Sequence, residues 1–282
     1  MIRTLARRLP RPIKNRVKGY IKSLVPPEEA TESFERSLSR LNPDLKMVFD
    51  VGANVGDMTM SMCKWFPDAT VHAFEPYSKT FETLRARVES SPYRDRVSLH
   101  NFGFYDKKGT APLHVTSFHG ANSLVAVSPA YHAFNPHIRE EALEDVQLVR
   151  LDDFVAEAGI SHIDLMKVDV EGAEFEVFAG GVHTLSSMID TIFCEMSFAR
   201  FPRERGEYIR VCQVLQDSGF APAEIYDVAQ GDTGDQWRLA QFDFVFRSFR
   251  PAGGADSHAG DASRRAEAQG PASGSPQSLR CR

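Results

Sequence analysis

Short apolar runs rich in β-branched and aromatic residues alternate along this chain with longer stretches of helical periodicity. Residues 46–51 (KMVFDV) read as a buried strand ending near a carboxylate, and 57–66 as a helix stopped by Pro67. A second strand over 70–75 again ends in an acid, a helix follows over 78–90, and 97–104 reads as a third strand. Strands are then expected at 111–116 and 146–151, with a long loop of short helical pieces over 117–145. A short helix over 152–158 has Gly159 placed as a left-handed terminator. Further on come a strand over 163–168, a helical stretch over 173–188 interrupted at Gly180-Gly181, a strand over 191–196 and a helix over 208–218. Residues 223–228 and 242–246 suit a closing strand pair.

Strands alternating with helices predict an α/β fold, Rossmann-like, with a mostly parallel sheet and helices on both faces. Such sheets bind ligands beyond the carboxyl ends of their strands. Asp50, Glu75, Asp169 and Glu195 all stand at or near such ends. With 282 residues, 42% hydrophobic and 25% charged, the chain has material for one sizeable soluble core. A net charge of −5 gives no general reason to expect nucleic acid as a partner. Cys63, Cys194, Cys212 and Cys281 are too scattered for a disulfide framework or a zinc site, which fits a reducing cytoplasm.

The two ends differ from the middle. Residues 1–27 carry Arg3, Arg7, Arg8, Arg11, Lys14, Arg16, Lys18 and Lys22 with no acid, interleaved with Leu5, Leu9, Ile13, Val17, Ile21 and Leu24. This basic amphipathic pattern suits peripheral contact with an anionic membrane or a partner through residues 1–24, or else a solvated arm. It has no continuous apolar stretch of the secretory kind, and no run approaches the roughly 18–20 apolar residues a membrane helix needs. The expected location is cytoplasmic, with membrane association open. Residues 251–282 are nearly free of large apolar side chains and read as a disordered tail. The catalytic domain is therefore expected within 28–250.

The chemistry concentrates after the first strand. In Asp50-Val51-Gly52-Ala53-Asn54-Val55-Gly56 the two glycines allow a sharp turn and a close helix start. Glu75, about 20 residues on, is placed to take both hydroxyls of a ribose. A dinucleotide pyrophosphate prefers a denser glycine turn without a carboxylate beside it. S-adenosylmethionine carries an amino group and a sulfonium instead, so Asp50 favours that cofactor, with NAD the open alternative.

Four blocks in order, 49–56, 74–76, 149–154 and 164–174 (DLMKVDVEGAE), together resemble the FkbM family of O-methyltransferases, the last block most specifically. The resemblance spans roughly residues 48–198. It implies a class I methyltransferase fold and S-adenosylmethionine-dependent methylation of a hydroxyl on a sugar, a glycan or a secondary metabolite. Asp50, Gly52, Ala53, Asn54, Gly56, Glu75 and Pro76 would then hold the cofactor, with Asn101 and Gly103 passing its adenine.

Methylating an alcohol requires a base as the proton leaves and an oxygen held in line. Asp169 is the expected base or acceptor-orienting group, supported by Lys167 on the same strand face and by Glu171. Glu195 ends the next strand and is expected beside the acceptor. His114, His119, His132 and His137 are not spaced as metal ligands, and no metal is expected. His119, Asn122 and Ser123 instead suit a substrate-contacting loop over the cofactor. An NAD-dependent sugar-modifying enzyme and a non-catalytic glycan-assembly protein on the same fold remain as alternatives.

Overall fold

The computed structural model describes residues 44–126, 129–197, 207–232 and 237–249. The basic 1–27 segment and the 251–282 tail lie outside these described residues.

Seven strands form the main sheet in the order β3-β2-β1-β7-β8-β10-β9. They are β1 (Met47–Val51), β2 (Thr70–Phe74), β3 (Val97–His100), β7 (Ile163–Val168), β8 (Ile189–Ser197), β9 (Phe220–Asp232) and β10 (Trp237–Ser248). β3, β2, β1, β7 and β8 pair in parallel, and β10 runs antiparallel to both β8 and β9. This is the Rossmann-like arrangement of a class I methyltransferase. The order reverses between β1 and β7, so the crevice at that switch point opens beyond Val51 and Val168.

Strand alternation sends successive side chains to opposite faces, each with its own core. Phe49, Val51, Met166 and Val168 pack with Leu151, Val177, Phe178, Leu185, Val211 and Leu215. These come from α4 (Leu151–Glu157), α5 (Glu174–Ala179), α6 (Val182–Met188) and α7 (Glu207–Asp217). Val48, Val71 and Leu165 pack on the other face against Met62 and Cys63 of α1 (Asp57–Trp65). Ala53 and Ala73 meet Leu84 and Val88 of α2 (Ser78–Glu89). Each of the larger fully buried side chains contributes about 1.5–3 kcal/mol of transfer free energy. Lys167 and Asp50 share strand parity with Leu165 and Val48, and they stand opposite each other in the β1–β7 register. Two charged residues are thereby driven into one apolar layer.

The region between β3 and α4 departs from the sequence reading. The expected strand over 97–104 is broken. β3 ends at His100, and β4 (Gly103–Phe104) joins a separate three-stranded sheet with β5 (Gly109–Thr116) and β6 (Glu140–Val149). The expected loop up to residue 145 gives way to strand from Glu140, whose first residues are polar or exposed, including an exposed Leu143. With no buried face there, alternation gave no sign of it. The 173–188 helix is divided into α5 and α6 at Gly180-Gly181, where a Cβ on Gly180 would lie 2.1 Å from the Tyr105 carbonyl oxygen. The segment 117–139 holds a 3₁₀ turn at His119–Ala121 and the short helix α3 (Pro129–Phe134).

Candidate active site

The turn after β1 is shaped by close approach. Gly52 has φ +77°, and a Cβ there would sit 1.9 Å from the Asp169 carbonyl oxygen. Its amide and that of Ala53 both donate to the Phe74 carbonyl, while the Asp169 amide donates to the Val51 carbonyl. The ends of β1, β2 and β7 are thus knotted together. Asn54 follows with φ 51°, a left-handed backbone for which asparagine is among the better-tolerated side chains.

Beyond these strand ends lies a cleft walled by Gly52, Asn54, Glu75, Pro76, Gly103, Asp169 and Glu171, with His119, Asn122 and Ser123 from the β5–β6 connection. Its apolar floor comes from Val51, Phe74, Phe104, Leu113 and Val170. Glu75 is 7% exposed. One of its oxygens accepts from the Tyr77 amide at 2.8 Å and the other from the Asn54 amide at 3.0 Å. Burial nevertheless pushes its carboxyl up to about 7, against the pull of those two amides.

Four residues expected at the cofactor do not line this cleft. Asp50 is fully buried, accepts from the Thr59 hydroxyl at 2.6 Å, and pairs with the Lys167 ammonium at 3.1 Å. Its contacts are with Lys167 and Thr59, beneath the cleft wall. Ala53 is turned into the core against α2. Gly56 opens α1 with φ +88°, and a Cβ there would lie 2.5 Å from Leu84. It is needed for helix packing. Asn101 is exposed and donates its side-chain amide to the carbonyls of Glu75 and Pro76, at 2.9 and 3.1 Å, bracing that corner from outside.

On the β7 side, Lys167 is 3% exposed. Its ammonium lies 3.1 Å from Asp50 and 3.3 Å from Asp169, and donates to the Gly52 carbonyl at 2.8 Å. Burial works against its charge, but Asp50 and Asp169 outweigh that and hold the ammonium above the ordinary lysine range. Lys167 is screened from the cleft and anchors Asp169, which is on the wall. Glu171 has φ 57°, and its carbonyl accepts from the Ser123 hydroxyl at 2.7 Å.

The substrate-side expectations divide. Ser123 is 1% exposed, and its hydroxyl both donates to Glu171 and accepts from the Val125 amide. Asn122 accepts from the Thr116 amide with its side-chain oxygen at 2.8 Å. Both tie the loop down. His119 keeps an exposed ring and contacts Asn54 Oδ1 through Nδ1 at 2.7 Å. Glu195 does not line the cleft, but it lies behind it: oxygens of Asp169, Glu171 and Glu195 come within 4.8 Å of one another. Burial first, then the charges of Asp169 and Glu171, push Glu195 well above the ordinary carboxylate range.

Two features escaped the sequence reading. Glu174, in the first turn of α5, is 2% exposed and accepts from the Gly172 amide at 3.0 Å, with burial pushing it up to about 7. Asp152 in the 149–154 block accepts from the amide and hydroxyl of Thr184, at 2.9 and 2.8 Å, and so fastens the start of α6. That block is architectural. Nothing in its sequence separates such a role from a catalytic one.

Residues 50–222 match the profile of the methyltransferase FkbM domain. The chain belongs to the FkbM methyltransferase family. Among its relatives are methyltransferase 1 of Beauveria bassiana, 28% identical over 194 residues, covering 64% of this chain and 74% of that protein. The 2-O-methyltransferase NoeI of Sinorhizobium fredii is 27% identical over 180 residues, covering 62% of this chain and 73% of its own length. The 31-O-demethyl-FK506 methyltransferase FkbM of Streptomyces tacrolimicus is 33% identical over 152 residues, 48% of this chain and 58% of that one. This chain is accordingly a methyltransferase, with S-adenosylmethionine as its methyl donor. The cleft fits that donor. Its described wall carries the acids Glu75, Asp169 and Glu171 and no lysine or arginine, which suits a cationic ligand and not a pyrophosphate. The NAD reading is thereby displaced.

Proposed function

We propose that this FkbM-family methyltransferase methylates a hydroxyl group on a sugar, a glycan or a secondary metabolite. The observation that carries the reading is the acid-lined, cation-free wall on which Asp169 and Glu171 stand beside the glycine turn. Carboxylates accept hydrogen bonds from hydroxyls and repel phosphates and carboxylates. The printed names of two relatives, a 2-O-methyltransferase and a 31-O-demethyl-FK506 methyltransferase, support oxygen as the acceptor atom.

In this reading Glu75 receives the ribose hydroxyls of the cofactor, and Gly52, Asn54, Pro76 and Gly103 form the surface against it. The bound cofactor supplies an electrophilic methyl group on a sulfonium. Asp169, braced by Lys167, accepts the acceptor hydroxyl's hydrogen bond and turns a lone pair toward the methyl. Protonating Asp169 would leave the buried Lys167 with one anionic partner fewer, so orientation is its better role. Lys167 and Glu171 support it. Among the described residues no helix is long and apolar enough to cross a membrane.

Calorimetric titration with S-adenosylhomocysteine and with NAD, using Glu75→Ala as control, tests the cofactor half. Micromolar binding of the first alone, lost in the variant, is expected. Transfer of tritiated methyl from S-adenosylmethionine to a panel of methyl glycosides and polyketide alcohols tests the acceptor half. Methylation confined to amines or thiols would overturn it.

A further inference from the structure

The orienting role of Asp169 leaves the acceptor proton without a destination. Glu195 is not on the cleft wall, and burial with the neighbouring acids raises its carboxyl. His114 is taken by Glu140 at 2.7 Å and is not on the cleft. His119 remains.

The ring of His119 is fixed in a particular way. Its Nδ1 lies 2.7 Å from Asn54 Oδ1, across 65 residues of sequence. An amide oxygen only accepts hydrogen bonds, so Nδ1 carries the hydrogen, and in the neutral ring Nε2 carries the lone pair. Asn54 is itself held, by its left-handed backbone and by the hydrogen bond its backbone amide donates to the Glu75 carboxylate. The loop that presents His119 is also anchored. Thr116 donates its amide to Asn122 and its hydroxyl to the Phe118 carbonyl, and Ser123 is fastened to Glu171. Phe118 lies beside the ring, with centroids 5.4 Å apart. The remaining titratable side chains on the cleft wall are Glu75, Asp169 and Glu171. A positive charge on the ring therefore arises among acids.

We propose that His119 is the general base of the methyl transfer, its Nε2 taking the acceptor hydroxyl's proton while Asn54 fixes the tautomer. This rests on the hydroxyl-methylation reading above. The oxygen–methyl bond forms as the sulfur–methyl bond breaks, with the bonding pair staying on sulfur. The hydroxyl proton passes to Nε2 and from the exposed ring to water. The same asparagine thus serves both halves of the site, meeting Glu75 through its backbone and His119 through its side chain.

Two readouts test this on the full chain. Long-range proton–nitrogen correlation on ¹⁵N-histidine-labelled protein with S-adenosylhomocysteine, assigned by the signals lost in His119→Gln, reports the tautomer. A protonated Nδ1 and a bare Nε2 are expected. In single-turnover transfer to the acceptor found above, His119→Gln is expected to slow the reaction about 100-fold or more and to remove the acid limb of its pH profile. Its affinity for S-adenosylhomocysteine should stay within about threefold, as loss of a base and not of a cofactor ligand requires. A hydrogen on Nε2, loss of S-adenosylhomocysteine binding in the variant, or an unchanged rate and pH profile would each overturn the proposal. Should the panel yield no acceptor, the hydroxyl reading fails, and the tautomer still decides whether the ring is set as a base.

Discussion

Lys167→Met is the most informative single perturbation of this fold. The side chain keeps its length and apolar stem while losing the ammonium that holds Asp50 and Asp169 and donates to the Gly52 carbonyl. The Lys167 and Asp50 side chains are 4% and 0% exposed, so the discount for solvent-exposed ion pairs does not apply. Removing one partner strands Asp50 in an apolar layer with only the Thr59 hydroxyl. Breaking a buried pair this way costs about 3–5 kcal/mol. Against a total stability of about 5–15 kcal/mol, that is a large fraction. With a urea slope of about 1–3 kcal/mol/M, the unfolding midpoint should fall by about 1–5 M. Asp50→Asn in the same background removes the stranded charge, so the double variant should be more stable than the sum of the two single losses predicts. Urea unfolding of the four proteins in a double-mutant cycle, followed by circular dichroism, measures this. A loss below about 1 kcal/mol for Lys167→Met, or strict additivity in the cycle, would refute the buried-pair account.

Gly52→Ala places a methyl where the Asp169 carbonyl already sits, at a backbone angle of φ +77°. It should cost about 2 kcal/mol or more and abolish S-adenosylhomocysteine binding, and near-native calorimetry on this variant would show that the turn can relax. His72 and His100 are stacked half-buried beside Phe74 and Phe154, with ring nitrogens 3.1 Å apart. Burial, then the neighbouring His72, lowers His100 to about 4 from 6.5. The unfolded chain therefore binds the proton first, and stability intact above about pH 6.5 is lost as pH falls toward 4. For this partly exposed pair the loss is on the order of 1–2 kcal/mol after screening. His100→Asn removes the titration, so its stability gap from the native chain should narrow between pH 6.5 and 4. A gap independent of pH would refute the assignment.

The main sheet was legible because its strands are buried and carry acids at their ends. β1, β2 and β7 lie within a residue or two of their expected bounds, and the glycine turn reads directly as close approach. β5 and the C-terminal end of β6 were also expected as strands, and what periodicity missed is their pairing in a second sheet with β4 and the first half of β6. β4 is two residues long, and β6 begins with exposed polar residues, so neither β4 nor that first half of β6 offers an alternating face to detect. Gly103 was foreseen at the cofactor, yet not as the point where the chain leaves one sheet for the other.

The candidate site was legible in its membership more than in its roles, for a physical reason. Spacing along a strand tells which residues share a face, but not whether that face meets solvent or another element. Asp50 and Lys167 have the parity of Val48 and Leu165, so α1 covers them, and the acid expected at the cofactor forms a buried ion pair with the lysine expected to support Asp169. Asp169 shares that parity one step past the end of β7, where the sheet stops, and reaches the cleft. One pleat further along the same strand divides a buried charge from one on the cleft wall. The cross-chain partners decide the rest: Asn54 meets His119 only because β5 and β6 bring the intervening loop back over the switch point. No pattern within either segment encodes that meeting. It follows from the topology, and the tautomer proposed for His119 rests on it in turn.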